Sequence, residues 1–259
     1  MAYGWTGIAA AYDRSFARLC AGAVEPLLDA LGAPEGAARL LDAGSGTGIV
    51  ARAAFARGWS VTAVDAEEDM TAFVADRVPD ADLLTASIAE LPIGDGTFEA
   101  IGANFSINHA DHADRVAKEL HRVAAPGAPI AATVWPWQPT EMNVLWGAIM
   151  DATGTRPERI EIPAGEPFER SEAGLCALLE LGGFHDARAE RLDWTFAIGP
   201  QDLWAGIAAG IATIGQAYTS TDEPGRDRIQ AEYERRTSEL AAGGLLRFRV
   251  QAILAVATA

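Results

Sequence analysis

The sequence has few cysteines and few basic residues, and each shortage excludes a class of protein. Its two cysteines, Cys20 and Cys176, lie far apart and match neither a metal motif nor a disulfide framework, which indicates reduced thiols. Lysine and arginine number 20 against 36 acidic residues, giving a formal net charge of −16. A surface so acidic repels the phosphates of nucleic acid, so we expect no nucleic-acid partner.

Long apolar runs are also missing. No stretch approaches the roughly 20 apolar residues that a membrane span needs. The N-terminal residues, MAYGWTGIAAAYDRSF, lack the basic patch and apolar core of a secretion signal. We therefore expect a cytoplasmic protein with no membrane partner.

What the chain does contain is a regular alternation of strand and helix patterns. At 259 residues, with 49% hydrophobic and 22% charged residues, it suits one large α/β domain. A helix is predicted over 13–31, and three more over 49–57, 67–77 and 112–124. Strands are predicted at 39–43, 59–65, 82–86, 97–104 and 129–135. This alternation predicts a mostly parallel sheet with helices on both faces.

The second half of the chain is organised differently. Residues 139–165 are predicted to contain a helical stretch followed by a loop rich in proline and glycine. A helix at 171–182 then leads into a strand near 186–196, and a helical stretch at 200–243 separates that strand from a last one at 245–259. This order predicts an antiparallel finish to the sheet and helical insertions that form a lid. We expect a single domain over 1–259, with its core at 38–135, 170–196 and 244–259 and lid insertions at 136–169 and 197–243.

A glycine-rich loop follows the first predicted strand, in the segment LLDAGSGTGIV at 40–50. The glycines Gly44, Gly46 and Gly48 have the spacing G-x-G-x-G, whereas a dinucleotide loop requires G-x-G-x-x-G. Ile49 stands where that fingerprint wants its last glycine. The acid that precedes the loop, Asp42, is unfavourable beside a pyrophosphate and suits a ligand with an ammonium or sulfonium group.

Asp65 ends the second predicted strand and is a candidate ribose ligand. A carboxylate at this edge of the sheet accepts two hydrogen bonds from vicinal ribose hydroxyls. The alternative is that Asp65 is the N-cap of the helix that follows. The two roles are compatible.

Four segments, taken in order, resemble the motifs of class I S-adenosylmethionine-dependent methyltransferases. They are LLDAGSGTG at 40–48, AVDAEEDM at 63–70, ASIAELPIGDGTFEAI at 86–101 and ELHRVAAPGAPIAAT at 119–133. The resemblance covers roughly residues 38–135, and the branch most similar is the small-molecule group that includes quinone and natural-product methyltransferases. It implies a Rossmann-like, mostly parallel seven-stranded sheet with an antiparallel last strand. It also implies S-adenosylmethionine as the cofactor and S-adenosylhomocysteine as the product.

The same resemblance implies which residues bind the cofactor. Gly44, Gly46 and Gly48 would line its methionine part, with Asp42 shaping the loop near its ammonium group. Asp65 would hold the ribose, with Ala66 beside it, and Met70 would pack near the adenosine. The remaining implied contacts are Ser87 and Ile88 at the adenine, the backbone carbonyl of Asn104 at the methionine amine, and Tyr12 folding over the cofactor. Serine stands at 87 where the family usually has an acid.

Candidate residues for the acceptor side follow the fourth and fifth predicted strands. His109, in NFSINHADH, is the best candidate base, because histidine titrates near neutral pH; a purely structural hydrogen bond is the alternative. Trp135, Trp137 and Trp146 are candidates for an aromatic acceptor pocket, unless they are core between lid helices. The histidines and cysteines lack metal-ligand spacing, so we expect no metal.

The sequence thus predicts transfer of a methyl group to a small organic acceptor, a metabolite or natural-product intermediate. The expected mechanism is an in-line displacement under a helical lid. The same fold and cofactor used for a cyclisation is one alternative, and a nicotinamide oxidoreductase or a non-enzymatic binding protein are others. The sequence leaves open whether the protein is a monomer or a homodimer.

Overall fold

Seven strands form one sheet in the computed structural model, which describes residues 5–155 and 168–259. They are β1 Arg39–Ala43, β2 Ser60–Asp65, β3 Asp82–Thr85, β4 Ala100–Asn104, β5 Pro129–Val134, β6 His185–Ile198 and β7 Leu246–Thr258. Their order across the sheet is β3-β2-β1-β4-β5-β7-β6. The first five are parallel, whereas β7 runs antiparallel to both of its neighbours. The predicted mostly parallel sheet with an antiparallel last strand is confirmed.

The helices of the described ranges cover both faces of this sheet and one end of it. They are α1 Ala9–Arg14, α2 Phe16–Cys20, α3 Val24–Leu31, α4 Ile49–Ala56, α5 Glu68–Arg77, α6 Ala113–Val123, α7 Glu141–Thr153, α8 Glu172–Gly182, α9 Pro200–Ala208, α10 Ala212–Ser220 and α11 Glu223–Leu240. Along these ranges, no helix combines the length and the apolar character that crossing a membrane requires.

The central strands are buried because helices pack on both of their faces, as parallel sheets require. Leu40 and Leu41, adjacent in β1, are both fully buried but belong to different core clusters. The Leu41 cluster includes residues of α6 and α8, and the Leu40 cluster includes residues of α3 and α4. The side-chain alternation of a strand thus builds one core on each side of the sheet.

Two of the predicted helices are broken in the structure. The stretch 13–31 is divided at Ser15, which lies outside helical geometry, and at a 3-10 turn over Ala21–Ala23. Gly22 in that turn lies so close to the indole of Trp194 that any Cβ would overlap it. The stretch 200–243 is divided into α9, α10 and α11, with Gly210 in the left-handed region at φ 86°.

The last two strands extend well beyond the end of the parallel strands. Val134, at the end of β5, pairs with Ile253, whereas β7 begins seven residues earlier at Leu246. We call α7, α9, α10 and α11 the cap helices. Their apolar side chains pack with Phe196 of β6 and Phe248 of β7 in a third core cluster. The predicted insertion 136–169 lies partly outside the described residues, which resume at 168.

Candidate functional site

A cavity of about 940 Å³ lies at the carboxyl ends of the parallel strands. The order of the strands reverses between β1 and β4, and open α/β sheets bind ligands at such a switch point. The predicted site residues that line the cavity are Tyr12, Gly44, Gly46, Asp65, Ala66, Met70, Ser87, Ile88, Asn104, His109, Trp135 and Trp137. Asp42, Gly48 and Trp146 are not among its lining residues.

The glycine loop needs its glycines both for its backbone conformation and for close approach. Gly44, Gly46 and Gly48 all lie in the left-handed region, with φ of 75°, 52° and 82°, which glycine adopts without a Cβ penalty. A Cβ on Gly44 would overlap the side chain of Ser106, and one on Gly48 would lie 3.0 Å from a methyl carbon of Val74. The glycines thus let Ser106 and Val74 pack directly against the loop, and Gly44 and Gly46 line the cavity.

Asp42 lies behind the loop and does not reach the cavity. Its Oδ2 accepts a 2.9 Å hydrogen bond from the backbone N–H of Ala51, in the first turn of α4. Its other oxygen, Oδ1, is buried and has no partner in the part of the chain that the structure describes. Burial, together with repulsion from Asp65, raises the pKa of Asp42 to about 7. Asp42 therefore ties β1 to α4, and its contact with a ligand ammonium group stays a prediction.

Asp65 faces the cavity from the end of β2. Its Oδ2 accepts a 2.8 Å hydrogen bond from Gly46 N–H, and its Oδ1 accepts one of 3.1 Å from Glu67 N–H. Burial raises its pKa. The N-cap of α5 is Glu67 rather than Asp65, so the alternative prediction, that Asp65 caps this helix, is wrong. Each carboxylate oxygen keeps a lone pair for a ligand hydroxyl.

A second group of predicted residues continues the cavity beyond Asp65. Ala66 and Met70 follow it at the start of α5, and Ser87 and Ile88 follow the end of β3. Ser87 Oγ accepts a 3.2 Å hydrogen bond from the N–H of Ala89 and keeps its own proton to donate. Ala66, Met70 and Ile88 are apolar and suit a flat ring, while Ser87 adds a hydroxyl group and Glu67 a carboxylate.

The side chain of Asn104 forms hydrogen bonds within the protein. Its Nδ2 donates to the backbone oxygen of Cys20 at 3.3 Å, and its Oδ1 accepts from Thr133 Oγ1 at 2.7 Å. Phe105, the next residue, has φ 56°, a conformation that costs energy for any residue but glycine. Its ring stacks on Trp135 at 3.8 Å between centroids. The sequence does not single out Phe105, although its position directly after the fourth strand is a usable signal.

Tyr12 covers the glycine loop from the N-terminal side. Its Cε1 lies 3.3 Å from where a Cβ of Gly46 would be, so ring and loop are in direct contact. Its hydroxyl donates to Cys20 Sγ at 3.7 Å. Two polar contacts fasten the same segment to α5: Ala9 N–H donates to Asp69, and Arg77 pairs with Asp13. The N-terminal helix is therefore held across the loop.

His109 ends a short 3-10 turn over Ile107–His109 and lies on the cavity wall. The edge of its ring meets Trp5, with centroids 5.3 Å apart. Desolvation inside the protein and, less strongly, the charge of Arg170 lower its pKa to about 4. His109 is therefore neutral at pH 7, and a base of such low pKa removes a proton weakly.

The three predicted tryptophans do not lie together. Trp135 and Trp137 line the cavity, whereas Trp146 is buried in the core of the cap helices. Trp146 stacks on Tyr233 of α11 at 5.8 Å, because the apolar face of α7 on which it lies packs against that helix. Trp204 and Tyr218, which also belong to the cap core, contact each other edge to face at 5.1 Å.

Several residues that line the cavity are not predicted from the sequence. They are the apolar residues Phe16, Leu19, Phe196, Ile211, Phe248 and Val250, and the charged residues Arg115 and Arg170. In β7, Phe248 and Val250 alternate with arginine and glutamine, and this period of two was a usable signal. In the described ranges, no three side chains of the metal-binding types form a cluster.

Comparison with known proteins gives one family. A family model described as "Methyltransferase domain" matches residues 41–132. The chain is 33% identical over 139 residues to a malonyl-[acyl-carrier protein] O-methyltransferase of Pectobacterium atrosepticum. This alignment covers 53% of this chain and only about half, 54%, of that protein. It is 32% identical over 197 residues to a demethylmenaquinone methyltransferase of Beutenbergia cavernae, covering 70% of this chain and 75% of that one.

A solved structure has the same fold. Phosphoethanolamine N-methyltransferase 2 of Haemonchus contortus, in complex with phosphomonomethylethanolamine and S-adenosylhomocysteine, matches at a TM-score of 0.54 and 15% identity. The match covers 90% of this chain and 51% of that one. Fold, motif order and the alignment over three quarters of the Beutenbergia enzyme agree, and the chain belongs to the class I S-adenosylmethionine-dependent methyltransferases.

Proposed function

We propose that this methyltransferase binds S-adenosylmethionine between the glycine loop and Asp65 and transfers its methyl group to a small, flat or apolar organic acceptor. The acceptor is a metabolite or natural-product intermediate, and the enzyme works in the cytoplasm. The observation that supports this most is the continuity of one cavity, which runs from Gly44 and Asp65 to the aromatic wall of Phe105 and Trp135.

The cofactor end fits the chemistry of such a ligand. Gly44 and Gly46 leave bare backbone at the wall of the cavity, as close approach of a ligand chain requires. Asp65 is positioned for the ribose hydroxyls, Met70 and Ile88 for the adenine faces, and Ser87 for its amino group. Because the side chain of Asn104 is engaged internally, its contact with the methionine amine would use the backbone.

The chemical step is an in-line displacement. Bound S-adenosylmethionine supplies an electrophilic methyl group on a sulfonium sulfur. The chain's own residues hold the acceptor nucleophile roughly 3–3.5 Å away on the axis opposite the leaving sulfur and keep water out. The segments 136–169 and 197–243 act as the lid, and Phe196 and Phe248 contribute apolar wall.

The names of the relatives point to acceptors of different kinds, one of them carried by a protein. One is a demethylmenaquinone methyltransferase and another a malonyl-[acyl-carrier protein] O-methyltransferase, so their acceptors differ. The stacked Phe105 and Trp135 rings suit a flat acceptor such as a quinone or phenol, because stacked aromatic contacts favour flat apolar rings.

Two measurements test this function. Calorimetry should show binding of S-adenosylmethionine and S-adenosylhomocysteine and none of NAD. A labelled-methyl assay against a panel of phenols, amines and carbon acids should transfer label to at least one class. Binding of NAD in place of S-adenosylmethionine would overturn the cofactor site. A rearranged acceptor of unchanged mass, formed without release of S-adenosylhomocysteine, would favour the cyclisation alternative.

A further inference from the structure

One part of the cavity wall is built by α2, by the long strands β6 and β7, and by the N-cap of α10. Its apolar residues are Phe16 and Leu19 of α2, Phe196 of β6, the N-cap Ile211, and Phe248 and Val250 of β7. We call these residues the apolar patch. All of them are buried members of the same core cluster, so they form one connected surface rather than separate points around the cavity.

The pairing of β6 with β7 explains why this surface is apolar. Phe196 lies opposite Phe248 across the two antiparallel strands, and Val250 lies two residues further along β7. Successive side chains of a strand point to opposite faces, and Arg247 and Arg249 of β7 are exposed. The strand therefore turns its apolar side chains towards the cavity and its charged side chains away from it.

No charged side chain of α2, β6 or β7 is among the described residues that line the cavity. The charged residues in its wall lie on other segments and are Asp65, Glu67, Asp111, Arg115 and Arg170. Near the patch, Cys20 of α2 adds a thiol whose sulfur accepts from Tyr12, and Thr213 of α10 adds an exposed hydroxyl. A charged ligand group placed on the patch would lose its hydration without gaining a partner.

The apolar patch is an enclosed part of the cavity. Each of its residues is only 4–8% exposed, whereas Trp137, which lines the same cavity, is 55% exposed. Apolar walls that bulk water hardly reaches bind apolar groups by removing the surface of those groups from water. The burial of the patch therefore favours a hydrocarbon group as its occupant.

The patch adjoins both the glycine loop and the stacked rings. The ring of Tyr12 contacts the loop at Gly46, and Tyr12 and Trp135 both pack against the core cluster that contains the patch. Trp135 in turn stacks on Phe105. A ligand ring at Phe105 and Trp135 can therefore extend a substituent onto the patch.

We propose that the acceptor carries an uncharged alkyl or alkenyl chain on the ring that is methylated, and that this chain binds the apolar patch. This proposal rests on the proposed function, because it assigns the acceptor part of the same cavity. It narrows the acceptor from any flat or apolar molecule to an amphiphile, with its nucleophile on the ring and a hydrocarbon chain beside it. Acceptors that lack the chain, or whose chain is polar, bind weakly.

A series of 4-alkylphenols tests the chain requirement on the unmodified protein. The probes 4-ethylphenol, 4-propylphenol, 4-butylphenol and 4-pentylphenol share one ring and one hydroxyl and differ only in chain length. The matched polar probe is 4-(2-methoxyethoxy)phenol, whose chain is as long as the pentyl chain but contains two ether oxygens. Calorimetry with saturating S-adenosylhomocysteine should show the Kd falling about fourfold for each methylene group that becomes buried. We expect 4-pentylphenol to bind at least about tenfold more tightly than 4-ethylphenol and than the ether.

Variants that fill the patch test its location. Leu19→Phe and Val250→Phe add volume from two different elements of the cavity wall. Each should weaken binding of 4-pentylphenol about tenfold, while the Kd values for 4-ethylphenol and S-adenosylhomocysteine stay within about twofold. The matched control is Leu181→Phe, because Leu181 is exposed on α8 and lies outside the cavity; it should bind every probe as the unmodified protein does.

The proposal is overturned if no alkylphenol binds, if the Kd does not fall with chain length, or if the ether binds as tightly as 4-pentylphenol. Affinity for 4-pentylphenol that is unchanged in both cavity variants would overturn it as well. The series on the unmodified protein gives a decision even where neither variant folds. Failure of the proposed function is a separate result, since it would be a loss of S-adenosylhomocysteine binding or of methyl transfer to every class of acceptor.

Discussion

The carboxylate of Asp65 accepts a 2.8 Å hydrogen bond from the backbone N–H of Gly46. One side chain at the end of β2 thus fixes the middle of the glycine loop that follows β1. The same carboxylate faces the cavity and keeps lone pairs for a ligand. The residue that fixes the geometry of the loop is therefore also the one that we propose as the ribose ligand.

Replacing Asp65 should weaken cofactor binding. We expect Asp65→Ala to raise the Kd for S-adenosylhomocysteine at least about tenfold, because a hydrogen bond to a charged group contributes roughly 1.5–3 kcal/mol. The Kd of Asp65→Asn should lie between those of the unmodified protein and Asp65→Ala, since the amide oxygen still accepts a hydrogen bond. Calorimetry measures all three.

The control for this series is Asp82→Asn, an exposed acid at the start of β3 that does not line the cavity. Its Kd should equal that of the unmodified protein. An Asp65→Ala variant that binds S-adenosylhomocysteine normally would exclude Asp65 from the cofactor site.

Tyr12 should act through its ring rather than its hydroxyl. The ring contacts the loop at Gly46, whereas the hydroxyl makes only a long 3.7 Å contact with Cys20 Sγ. We expect Tyr12→Phe to keep cofactor affinity within about twofold. We expect Tyr12→Ala to speed release of S-adenosylhomocysteine about tenfold, which corresponds to the loss of an aromatic contact of about 1.4 kcal/mol. Stopped-flow displacement measures the release rate, and equal losses in the two variants would contradict a packing role.

Much of the fold could be predicted from the sequence because its signals are local. The alternating strands and helices of residues 39–134 carry their own periodicity, and the turn residues mark their ends. The three loop glycines and Asp65 also lie close together in the chain, so a local pattern is enough to predict that they share a site. Gly44, Gly46 and Asp65 do line one cavity, while their contacts with the cofactor stay a prediction.

The acceptor end could not be predicted because tertiary packing decides it. Trp135 and Trp146 look alike in the sequence, yet one lines the cavity and the other stacks on Tyr233 in the cap core. Arg115 and Arg170 both line the cavity, yet they lie 55 residues apart in the chain and no local pattern connects them.

Asp42 should make stability depend on pH in a particular direction. Its pKa rises from 3.8 to about 7 on folding, so between these values the folded state binds more protons than the unfolded chain, and stability falls as pH rises. In the Asp42→Asn variant this side chain cannot ionise, so the variant does not lose stability in this way as the pH rises. Between pH 4 and pH 8 the variant should gain stability relative to the unmodified protein, on the order of 2–4 kcal/mol.

Urea unfolding at pH 5, 6, 7 and 8 measures the Asp42 difference directly. Other titrating groups are common to both proteins and cancel in the comparison. Asp82→Asn again serves as the control, and its curve should run parallel to that of the unmodified protein. Parallel curves for Asp42→Asn as well would show that Asp42 titrates normally in the folded state.

His109 should contribute to turnover without acting as a base that titrates near neutrality. Its pKa of about 4 leaves it uncharged from pH 6 to pH 8, so the pH dependence of kcat over that range should be the same for the unmodified protein and His109→Gln. Because general bases contribute about 10²–10⁴-fold, we expect His109→Ala to lower kcat by less than about 100-fold while the Kd for S-adenosylhomocysteine stays within twofold.

Turnover is measured with the labelled-methyl assay once an acceptor is found. The control variant is His185→Gln, because His185 is exposed and lies outside the cavity. Unchanged turnover in His109→Ala would show that His109 takes no part in the reaction, whereas a loss of more than about 100-fold, together with an inflection near pH 6.5 that the variant abolishes, would show that the bound acceptor restores it as a base.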